Sequence, residues 1–281
     1  MSFVAVALKC VDLRPDVDPL AGTVRHDSRA AGFSLADAAA LEWALRLGEA
    51  WRLPVTAITA GPPGAESVLR DAAAFGVGRL VRVPADAGAP SEAIARALGR
   101  RLDGAAVVCC GDYSADRGSG SVPAFLAHQL QAAQALGLTG LAPEAPGCLI
   151  AQRRLDGGRR ERLRVTAPAV ISVEPGAGRL RRAPLSGLVA SRQAAIETAA
   201  TDGAARNGPA EHRRRVHVLR TAPYRPRPRT LPPPSGRSPR DRLLALTGAL
   251  SERTPPRVVK ATPDEAADEL IRYLRDHGYL S

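Results

Sequence analysis

Aromatic side chains are scarce in this sequence, which has four Phe, four Tyr and two Trp among its 281 residues. Hydrophobic residues nevertheless make up 45% of the chain, so its interior must be built mainly from Ala, Leu and Val. A chain of this length can bury a sizeable core as one large or two modest domains. We therefore expect a globular protein with an aliphatic core.

Lysine is almost absent, since only Lys9 and Lys260 accompany the arginines among the 39 basic residues. This bias suggests a high-GC genome and is weak evidence for function. The charge is also unevenly distributed, because residues 1–150 carry 13 basic and 15 acidic side chains whereas residues 151–281 carry 26 and 13. The basic second half needs an anionic partner or another explanation.

No apolar run approaches the roughly 20 residues that a transmembrane helix needs, and residues 1–10 follow a strand pattern instead of a signal-peptide pattern. Of the four cysteines, Cys109 and Cys110 are adjacent while Cys10 and Cys148 lie far away, so no CxxC motif exists. Buried, reduced thiols are favoured over a metal site or a disulfide. The five histidines also lack metal-ligand spacing. We expect a soluble cytoplasmic protein without a metal site.

Apolar strand patterns alternate with helical patterns over the first half of the chain. The predicted strands are 3–8, 55–61, 80–83 and 105–110, and the predicted helices are 34–51, 64–75, 91–102 and 122–136. Ser34 is expected to cap the first helix, with Asp37 in the capping-box position. This alternation predicts an α/β fold with a doubly wound parallel sheet.

The alternation ends after the fourth helix. Residues 146–174 contain two strand-like segments joined at Asp156, Gly157 and Gly158, and an Asp-Gly pair between apolar segments is a strong hairpin signal. A basic loop and a short helix starting near Leu185 follow. The sequence therefore predicts a β-hairpin appended to the parallel sheet.

Residues 201–239 are rich in Arg, Pro and Gly, which is typical of an extended arm without a core of its own. Two further helical patterns follow the arm, and Thr262 is placed to cap the second of them. The predicted organisation is a domain at 1–200, the arm at 201–239, and terminal helices within 240–281, at 240–250 and 263–277. A helix at the end of a coreless arm must dock on something.

A loop dense in Gly, Ser and Asp, residues 111–121, separates the strand 105–110 from the helix that starts at Val122. In an open α/β sheet such a loop presents backbone N–H groups to a phosphate. An ordinary polar connection is the alternative interpretation. Asp112 and Asp116 lack the pocket that acid–base catalysis needs, so no catalytic residue is predicted.

Six segments, in this order, resemble the β (small) subunits of electron transfer flavoproteins. They are VALKCVD, EWALRLGEAW, TAGPPGAESVLRDAAAFGVGR, CGDYSADRGSGSVPAFLA, LDGGRRERLRVTAPAVISVE and TPDEAADELIRYLRD. The resemblance covers nearly the whole chain. It implies an adenine-nucleotide alpha-hydrolase-like (Rossmann-like) fold and a heterodimer with an α subunit that carries the redox FAD. The β subunit itself is then expected to hold AMP or FAD.

The nucleotide contacts that the resemblance implies fall at strand ends and helix starts, where an open parallel sheet binds ligands. They are Ala7, Ser34, Leu35, Ala36, Asp37, Ala60, Gly111, Asp116, Gly118, Ser119, Gly120, Ser121 and Val122. Residues 118–121 are expected to surround the phosphate with N–H groups and hydroxyls. Asp116 is expected to shape the loop or to face the ribose, because a carboxylate repels phosphate.

The chain also departs from the family pattern. It has Ser34 and Leu35 where relatives often carry Asn-Pro, and Ser121 where some carry Gln. Leu185 stands at the leucine of the family's recognition loop, but residues 190–193 replace the lysines that follow it. Leu185 is therefore a candidate anchor for a dehydrogenase, with a simple core leucine as the alternative. These departures and the basic arm resemble the actinobacterial branch that is associated with mycofactocin-dependent dehydrogenases.

Two other functions stay open. A free-standing adenine-nucleotide-binding protein of the same fold would not need the arm, and a nucleic-acid-binding protein would use basic clusters such as Arg213, Arg214 and Arg215. Recognition of single strands normally adds stacking aromatics, which are few after residue 200. The leading hypothesis is an electron-carrier subunit with an α subunit and dehydrogenases as partners, without nucleic acid or membrane insertion.

Overall fold

The chain forms two compact units, residues 1–224 and residues 225–281. The computed structural model describes residues 2–86, 88–200, 238–247, 258–276 and 278–280. The predicted arm therefore lies outside the described residues, except for its last two positions.

Among the described residues, the first unit contains thirteen β-strands and five α-helices. Its strands are β1 (Phe3–Ala7), β2 (Val11–Asp12), β3 (Asp16–Val17), β4 (Val24–Arg25), β5 (Ala31–Gly32), β6 (Val55–Gly61), β7 (Arg79–Pro84), β8 (Ala105–Gly111), β9 (Ala133–Pro143), β10 (Cys148–Arg154), β11 (Arg160–Thr166), β12 (Ala169–Val173) and β13 (Glu197–Thr198). Its helices are α1 (Leu35–Trp51), α2 (Glu66–Ala74), α3 (Ser91–Gly99), α4 (Ser121–Gln129) and α5 (Leu185–Ser191). The predicted strands and helices of residues 3–110 are confirmed, with ends that shift by a few residues.

Nine strands form one sheet in the order β11-β10-β9-β12-β8-β1-β6-β7-β13. All neighbours from β9 to β13 in that order are parallel, and β10 is antiparallel to both of its neighbours. The chain adds β6 and β7 on one side of β1 and then returns to add β8 on the other side. The doubly wound parallel sheet is thus confirmed, and its strand order reverses between β1 and β8.

Helices cover both faces of the sheet. Leu41 and Leu47 of α1 and Leu69 of α2 are buried against one face, whereas Leu98 of α3 and Leu126 of α4 are buried against the other. Burying such aliphatic side chains is the main favourable term in forming the three layers. The interior is aliphatic, as the composition predicts.

The two adjacent cysteines belong to different layers, because successive side chains of a strand point to opposite faces. Cys109 packs in the α1 and α2 layer and Cys110 in the α3 and α4 layer, both fully buried. Cys10 and Cys148 are only half-buried, so the expectation of buried thiols is wrong for these two. All four cysteines are free thiols.

The predicted helix 122–136 is wrong in its second half. Helix α4 ends at Gln129, the chain turns through Gln131 at a φ of 50°, and β9 begins at Ala133. Alanine, glutamine and leucine favour a helix when judged by propensity alone. Strand β9, however, pairs with β12 on one edge and β10 on the other, and buries Ala135 and Leu138. Tertiary pairing overrides the local preference.

The predicted hairpin is confirmed for β10 and β11, which pair antiparallel from Cys148 opposite Thr166 to Arg154 opposite Arg160. The last part of the segment 146–174 does not belong to the hairpin. Strand β12 lies between β8 and β9, parallel to both, and all five of its residues are buried. A continuous apolar run such as Ala169–Val173 is what a strand buried on both faces requires.

The second unit contains α6 (Pro239–Thr247) and α7 (Pro263–Asp276). The Thr262 N–H and hydroxyl both donate to Glu265 Oε2, over 3.0 and 2.8 Å, which closes the start of α7. Within this unit, Leu270 and Ile271 are 59% and 38% exposed. The predicted ends of both helices, at residues 250 and 277, lie outside the described residues. Nowhere in the described part of the chain is a helix both long enough and apolar enough to cross a membrane.

Candidate functional site

A cavity of about 250 Å³ opens at the carboxyl ends of β1, β6 and β8, beside the first turn of α4. This is the point at which the strand order reverses, where open α/β sheets bind ligands. The predicted contact residues that line the cavity are Ala7, Asp37, Ala60, Gly111, Asp116, Ser119, Gly120 and Val122. The other predicted residues, which do not line it, are Ser34, Leu35, Ala36, Gly118 and Ser121.

The loop between β8 and α4 is folded back on itself by main-chain hydrogen bonds. The Ser114 N–H donates to the Ser119 carbonyl over 2.9 Å, and the Gly118 N–H donates to the Ser114 carbonyl over 2.7 Å. Gly118 has a φ of +62°, which glycine adopts at little cost. A Cβ on Gly120 would lie 1.9 Å from the Asp112 carbonyl oxygen. Because the backbone approaches this closely, position 120 has no room for a side chain.

Helix α4 begins at Ser121, directly after this loop. Gly120 occupies the N-cap position and no side chain caps the helix, so the first-turn N–H groups of Ser121 and Val122 have no capping side chain, while Pro123 carries no N–H. Gly120 and Val122 both line the cavity, which brings the positive end of the helix dipole to its wall. The Ser121 hydroxyl is used elsewhere, because it donates to Ser91 Oγ over 2.9 Å and joins the starts of α4 and α3.

Lys9 lines the same cavity, although the sequence pattern did not single it out. Its Nζ donates to Ser114 Oγ over 3.0 Å and to Asp116 Oδ1 over 2.5 Å, and the Ser114 hydroxyl also donates to Asp116. Partial burial opposes ionisation of Asp116, but the hydrogen bonds from Lys9 and Ser114 prevail and lower its pKa. Lys9 therefore ties the loop to the end of β1. Its position directly after a strand is the only local signal.

The first residues of α1 interact with one another, and the predicted Ser34 cap is confirmed. Ser34 Oγ accepts the Asp37 N–H over 3.1 Å and donates its proton to Asp37 Oδ2 over 3.0 Å. The backbone N–H groups of Lys9 and Gly111 also donate to the Asp37 carboxyl, while its burial raises the pKa to about 6. Asp37 thus joins the ends of β1 and β8, and its carboxylate occupies the positive end of α1.

The neighbours of Asp37 at the start of α1 face elsewhere. Leu35 is 78% exposed, and Ala36 is buried with its Cβ beside Gly111. A Cβ on Gly111 would lie 2.8 Å from Asp37 Oδ1 and 3.0 Å from the Ala36 Cβ. The contact between the end of β8 and the start of α1 is therefore close because residue 111 is glycine.

Among the described residues, the charged side chains that line the cavity are two cations and three carboxylates: Lys9, Arg117, Asp37, Asp86 and Asp116. The Arg117 guanidinium donates to the Ala89 carbonyl over 3.0 Å and so spans the loop before α3. Much of the remaining wall is apolar, with Ile94 and Leu98 supplied by α3. Apolar walls with a few polar groups are typical of small-molecule sites.

Tyr113 is a second residue that the sequence pattern did not single out. It lines the cavity from the β8–α4 loop and is 49% exposed. An aromatic ring at the mouth can stack on a flat ligand, and the apolar walls behind it can accept such a ring system. With the N–H groups at the start of α4 on its wall, the cavity can accommodate a planar ring attached to an anionic group.

Leu185 does not line the cavity. It is the first residue of α5 and is 77% exposed, so the alternative of a core leucine is wrong. Leu188 and Val189 are also exposed, by 48% and 59%. A Cβ on Gly187 would lie 2.3 Å from the Ala74 carbonyl oxygen, which shows how closely α5 sits on the end of α2. Helix α5 therefore presents an apolar surface on a rigid support.

Known proteins resemble this chain over much of its length. The electron transfer flavoprotein domain family matches residues 22–204. An electron transfer flavoprotein subunit beta of Mycobacterium tuberculosis is 33% identical over 145 residues, which are 50% of this chain and 53% of the relative. The chain thus spans about half the length of the mycobacterial relatives it matches. Protein FixA of Rhizobium meliloti is 30% identical over 213 residues, or 69% of this chain and 72% of FixA.

An electron transfer flavoprotein subunit beta of Chromohalobacter salexigens is 28% identical over 269 residues, which are 93% of this chain and 91% of the relative. The parallel sheet, its helices on both faces and the cavity at the strand reversal define a Rossmann-like α/β protein. The chain belongs to the electron transfer flavoprotein family, among its β subunits.

Proposed function

We propose that this protein is the β subunit of a heterodimeric electron transfer flavoprotein and that its cavity holds an adenine nucleotide. The observation that carries the proposal is the combination, in one cavity, of the strand reversal, the uncapped start of α4 and a mostly apolar wall. Helix starts of this kind bind phosphate through backbone N–H groups. Membership of the family supports the same assignment.

In this proposal the adenine occupies the apolar part of the cavity, near Ile94 and Leu98, and Tyr113 covers it. The phosphate lies at the first turn of α4, where Gly120 keeps the backbone accessible. The start of α1 is unsuited to a phosphate because the Asp37 carboxylate already occupies it. The nucleotide then has one defined orientation.

The size of the cavity bears on the choice between AMP and FAD. Its volume of about 250 Å³ is below the roughly 300–1,000 Å³ of sites for drug-sized ligands. This supports AMP, or the AMP moiety of an FAD whose flavin half lies outside. The redox chemistry is supplied by FAD held mainly by the α subunit, while this chain contributes position and electrostatics.

The exposed apolar surface of α5 is proposed to dock dehydrogenases, with Leu185 as its anchor. Exposed apolar patches often mark protein–protein contact sites, and the exposed Leu185, Leu188 and Val189 of α5 form such a patch, supported by the close packing of α5 on Ala74. Residues 190–193, which form the end of α5 and the two positions after it, lack the lysines of many relatives, and this supports a partner of different charge. Mycofactocin-dependent dehydrogenases of actinobacteria are the proposed donors.

The terminal helix α7 is proposed to dock on the α subunit. Its apolar residues Leu270, Ile271 and Leu274 recur at helical spacing, and none of its described side chains is buried within the second unit. Isolated helices of this length are marginal in water, so a partner surface would stabilise it. Free thiols at all four cysteines support a reducing, cytoplasmic setting.

Co-expression with an α-type subunit tests the proposal. We expect a yellow complex of one α and one β chain, and denaturing mass spectrometry should release one FAD and one AMP. Release of two FADs would replace AMP with FAD in this subunit. A colourless monomer that holds a nucleotide would instead indicate a free-standing nucleotide-binding protein. Steeply salt-dependent RNA binding without any flavin would contradict the proposal.

A further inference from the structure

We propose that Arg82 is a positioning residue for the docking surface. With Glu66 and Arg70 it fixes the orientation of α5 and thereby the affinity of the protein for the dehydrogenase that reduces it. The inference rests on the proposed docking role of α5 and adds to it the residues that hold this helix in place. Arg82 lies on β7, and its partner Thr198, which follows α5, is 116 positions further along the chain.

Helix α5 has few apolar contacts to hold it. Of its seven described residues, Ser191 alone is buried, while Leu185, Leu188 and Val189 are exposed. The backbone of Gly187 packs on the end of α2. Short helices depend on tertiary packing for their stability, and α5 buries little apolar area. Its orientation therefore depends on how the chain that follows it is held.

The Arg82 side chain is buried and joins three elements. Its Nη2 donates to Thr198 Oγ1 of β13 over 3.3 Å, and its Nε donates to Glu66 Oε1 of α2 over 3.0 Å. A third bond, from Nη1 to the Gly61 carbonyl over 3.3 Å, anchors the guanidinium at the end of β6. The guanidinium is planar and rigid, so these three acceptors fix one another's positions.

Glu66 and Arg70 extend this network towards α5. Glu66 uses its second oxygen, Oε2, to accept a hydrogen bond from Arg70 Nη2 over 3.1 Å. Arg70 Nη1 then donates to the Ala194 carbonyl over 3.3 Å, three residues after the end of α5. Hydrogen bonds between charged groups are stronger than neutral ones. The network thus holds the chain after α5 at two points, Ala194 and Thr198, and both are tied to Glu66.

A general stabilising role for Arg82 predicts something different. If Arg82 only strengthened the edge of the sheet, its loss would not loosen α5 more than other helices. Any effect on electron transfer would then add to the effect of replacing Leu185. If Arg82 acts through α5, its loss matters only while Leu185 is available for docking. A double-mutant cycle of Arg82 and Leu185 therefore separates the two roles.

The first test is hydrogen-exchange mass spectrometry of the full-length protein in complex with its α subunit. Arg82→Met keeps the aliphatic stem and removes all three donors. We expect the amides of residues 185–198 to exchange about tenfold faster or more, and those of α3 to change by less than about twofold. Arg96→Met is the matched control, because it removes the ion pair with Glu92 on α3, and should leave residues 185–198 unchanged.

The second test measures reduction of the complex by a mycofactocin-dependent dehydrogenase. Arg82→Met should lower kcat/KM by about fivefold or more through KM, while kcat changes by less than about twofold. Arg82→Lys keeps the charge and should recover part of the loss. The variant that combines Arg82→Met with Leu185→Glu should lie within about twofold of Leu185→Glu alone.

A milder change keeps the test available if Arg82→Met does not fold, which circular dichroism shows. Glu66→Gln removes the charge between the two arginines and should speed exchange over the same residues, 185–198, by about threefold or more. Its effect on kcat/KM should have the same direction as that of Arg82→Met. The fold should be retained, because Glu66 is only partly buried.

Unchanged exchange over residues 185–198 in both variants would overturn the positioning role. Losses of kcat/KM that multiply in the combined variant would also overturn it. Normal kcat/KM in Arg82→Met beside an impaired Leu185→Glu would reject the inference and leave the docking role of α5 intact. Normal kcat/KM in Leu185→Glu would instead reject that docking role, and the inference with it.

Discussion

Glu42 Oε2 accepts two hydrogen bonds from Arg181, one from its backbone N–H and one from Nε, and both are 3.0 Å long. The guanidinium also contacts Glu49, while Glu42 is 97% removed from solvent and has a second partner in Arg46. Burial opposes ionisation of Glu42, but the bonds from Arg181 and Arg46 prevail and lower its pKa. Helix α1 thereby fixes the segment that leads into α5.

Breaking this contact should destabilise the protein. Arg181→Met keeps the aliphatic stem but leaves Glu42 with Arg46 alone, and we expect a loss of about 1–3 kcal/mol in unfolding free energy. Urea titration measures it. Arg182→Met is the matched control, because the neighbouring side chain is exposed and should change stability by less than about 0.5 kcal/mol. Equal losses of unfolding free energy in both variants would show that the contact between Arg181 and Glu42 does not stabilise the protein.

Asp37 predicts a pH dependence. Burial raises its pKa from 3.8 to about 6, so the folded protein holds this proton more tightly than the unfolded chain does. The protonated Asp37 carboxyl therefore stabilises the folded state. This contribution is complete below about pH 4 and is lost as the pH rises to about 6. In Asp37→Asn this loss disappears. The difference in unfolding free energy between the variant and the wild type should therefore shift in favour of the variant by up to about 3 kcal/mol as the pH rises from 4 to 7.

Denaturant titrations at several pH values measure this difference. Asp16→Asn is the control, because Asp16 is exposed on β3. If the unfolding free energies of both variants follow that of the wild type equally from pH 4 to 7, this interpretation of Asp37 is wrong.

Gly120→Ala should remove bound nucleotide, because its Cβ would meet the Asp112 carbonyl oxygen at 1.9 Å and force the loop open. We also expect a stability loss of about 1–3 kcal/mol from this overpacking. Gly78→Ala serves as control, since nothing lies within 4 Å of a Cβ there. Chromatography of nucleotide released from purified protein provides the readout. Normal nucleotide content in Gly120→Ala would make the loop a mere connection.

Leu185→Glu should impair electron transfer from the dehydrogenase without unfolding the protein, because the leucine is 77% exposed. We expect kcat/KM for reduction of the complex to fall by about tenfold or more, as for an interface hot spot. Leu20→Glu makes the same change on another surface, at 85% exposure, and should have little effect. Similar rates for both variants would remove α5 from the docking surface.

Replacing Leu270 and Ile271 by Glu should weaken the heterodimer, since both would lie on the apolar side of α7. A rise of about tenfold or more in the dissociation constant is expected. Analytical ultracentrifugation over a dilution series measures it. Asp268→Ala, at an exposed position of the same helix, should leave assembly unchanged. An intact heterodimer in the double variant would assign α7 another role.

The sequence predicted those features that depend on local pattern. Alternating apolar segments predict the strands and helices up to residue 110, and Ser34 is predictable as a cap because its partner Asp37 lies three residues away. The Asp-Gly pair located the β10–β11 hairpin for the same reason. Strand β9 was missed because its residues favour a helix locally, and only pairing with β10 and β12 makes them a strand.

The site shows the same division between local and distant contacts. Adjacent residues are enough to predict the Gly-rich loop and the start of α4. The role of Lys9 cannot be predicted in this way, because its partner Asp116 is 107 positions away and the two meet only once β8 has paired with β1. The closed start of α1 also depends on this pairing, since Asp37 receives N–H groups from the ends of both strands.

Cys109 and Cys110 offer a way to watch the two layers separately. Both thiols are fully buried, and burial raises the pKa of each, so neither should react until its own layer opens. Cys109→Ser leaves a reporter for the α3 and α4 layer, and Cys110→Ser leaves one for the α1 and α2 layer. Thiol-labelling rates, measured with Cys10 and Cys148 replaced, would tell which side of the sheet loosens first and which side a bound nucleotide holds shut.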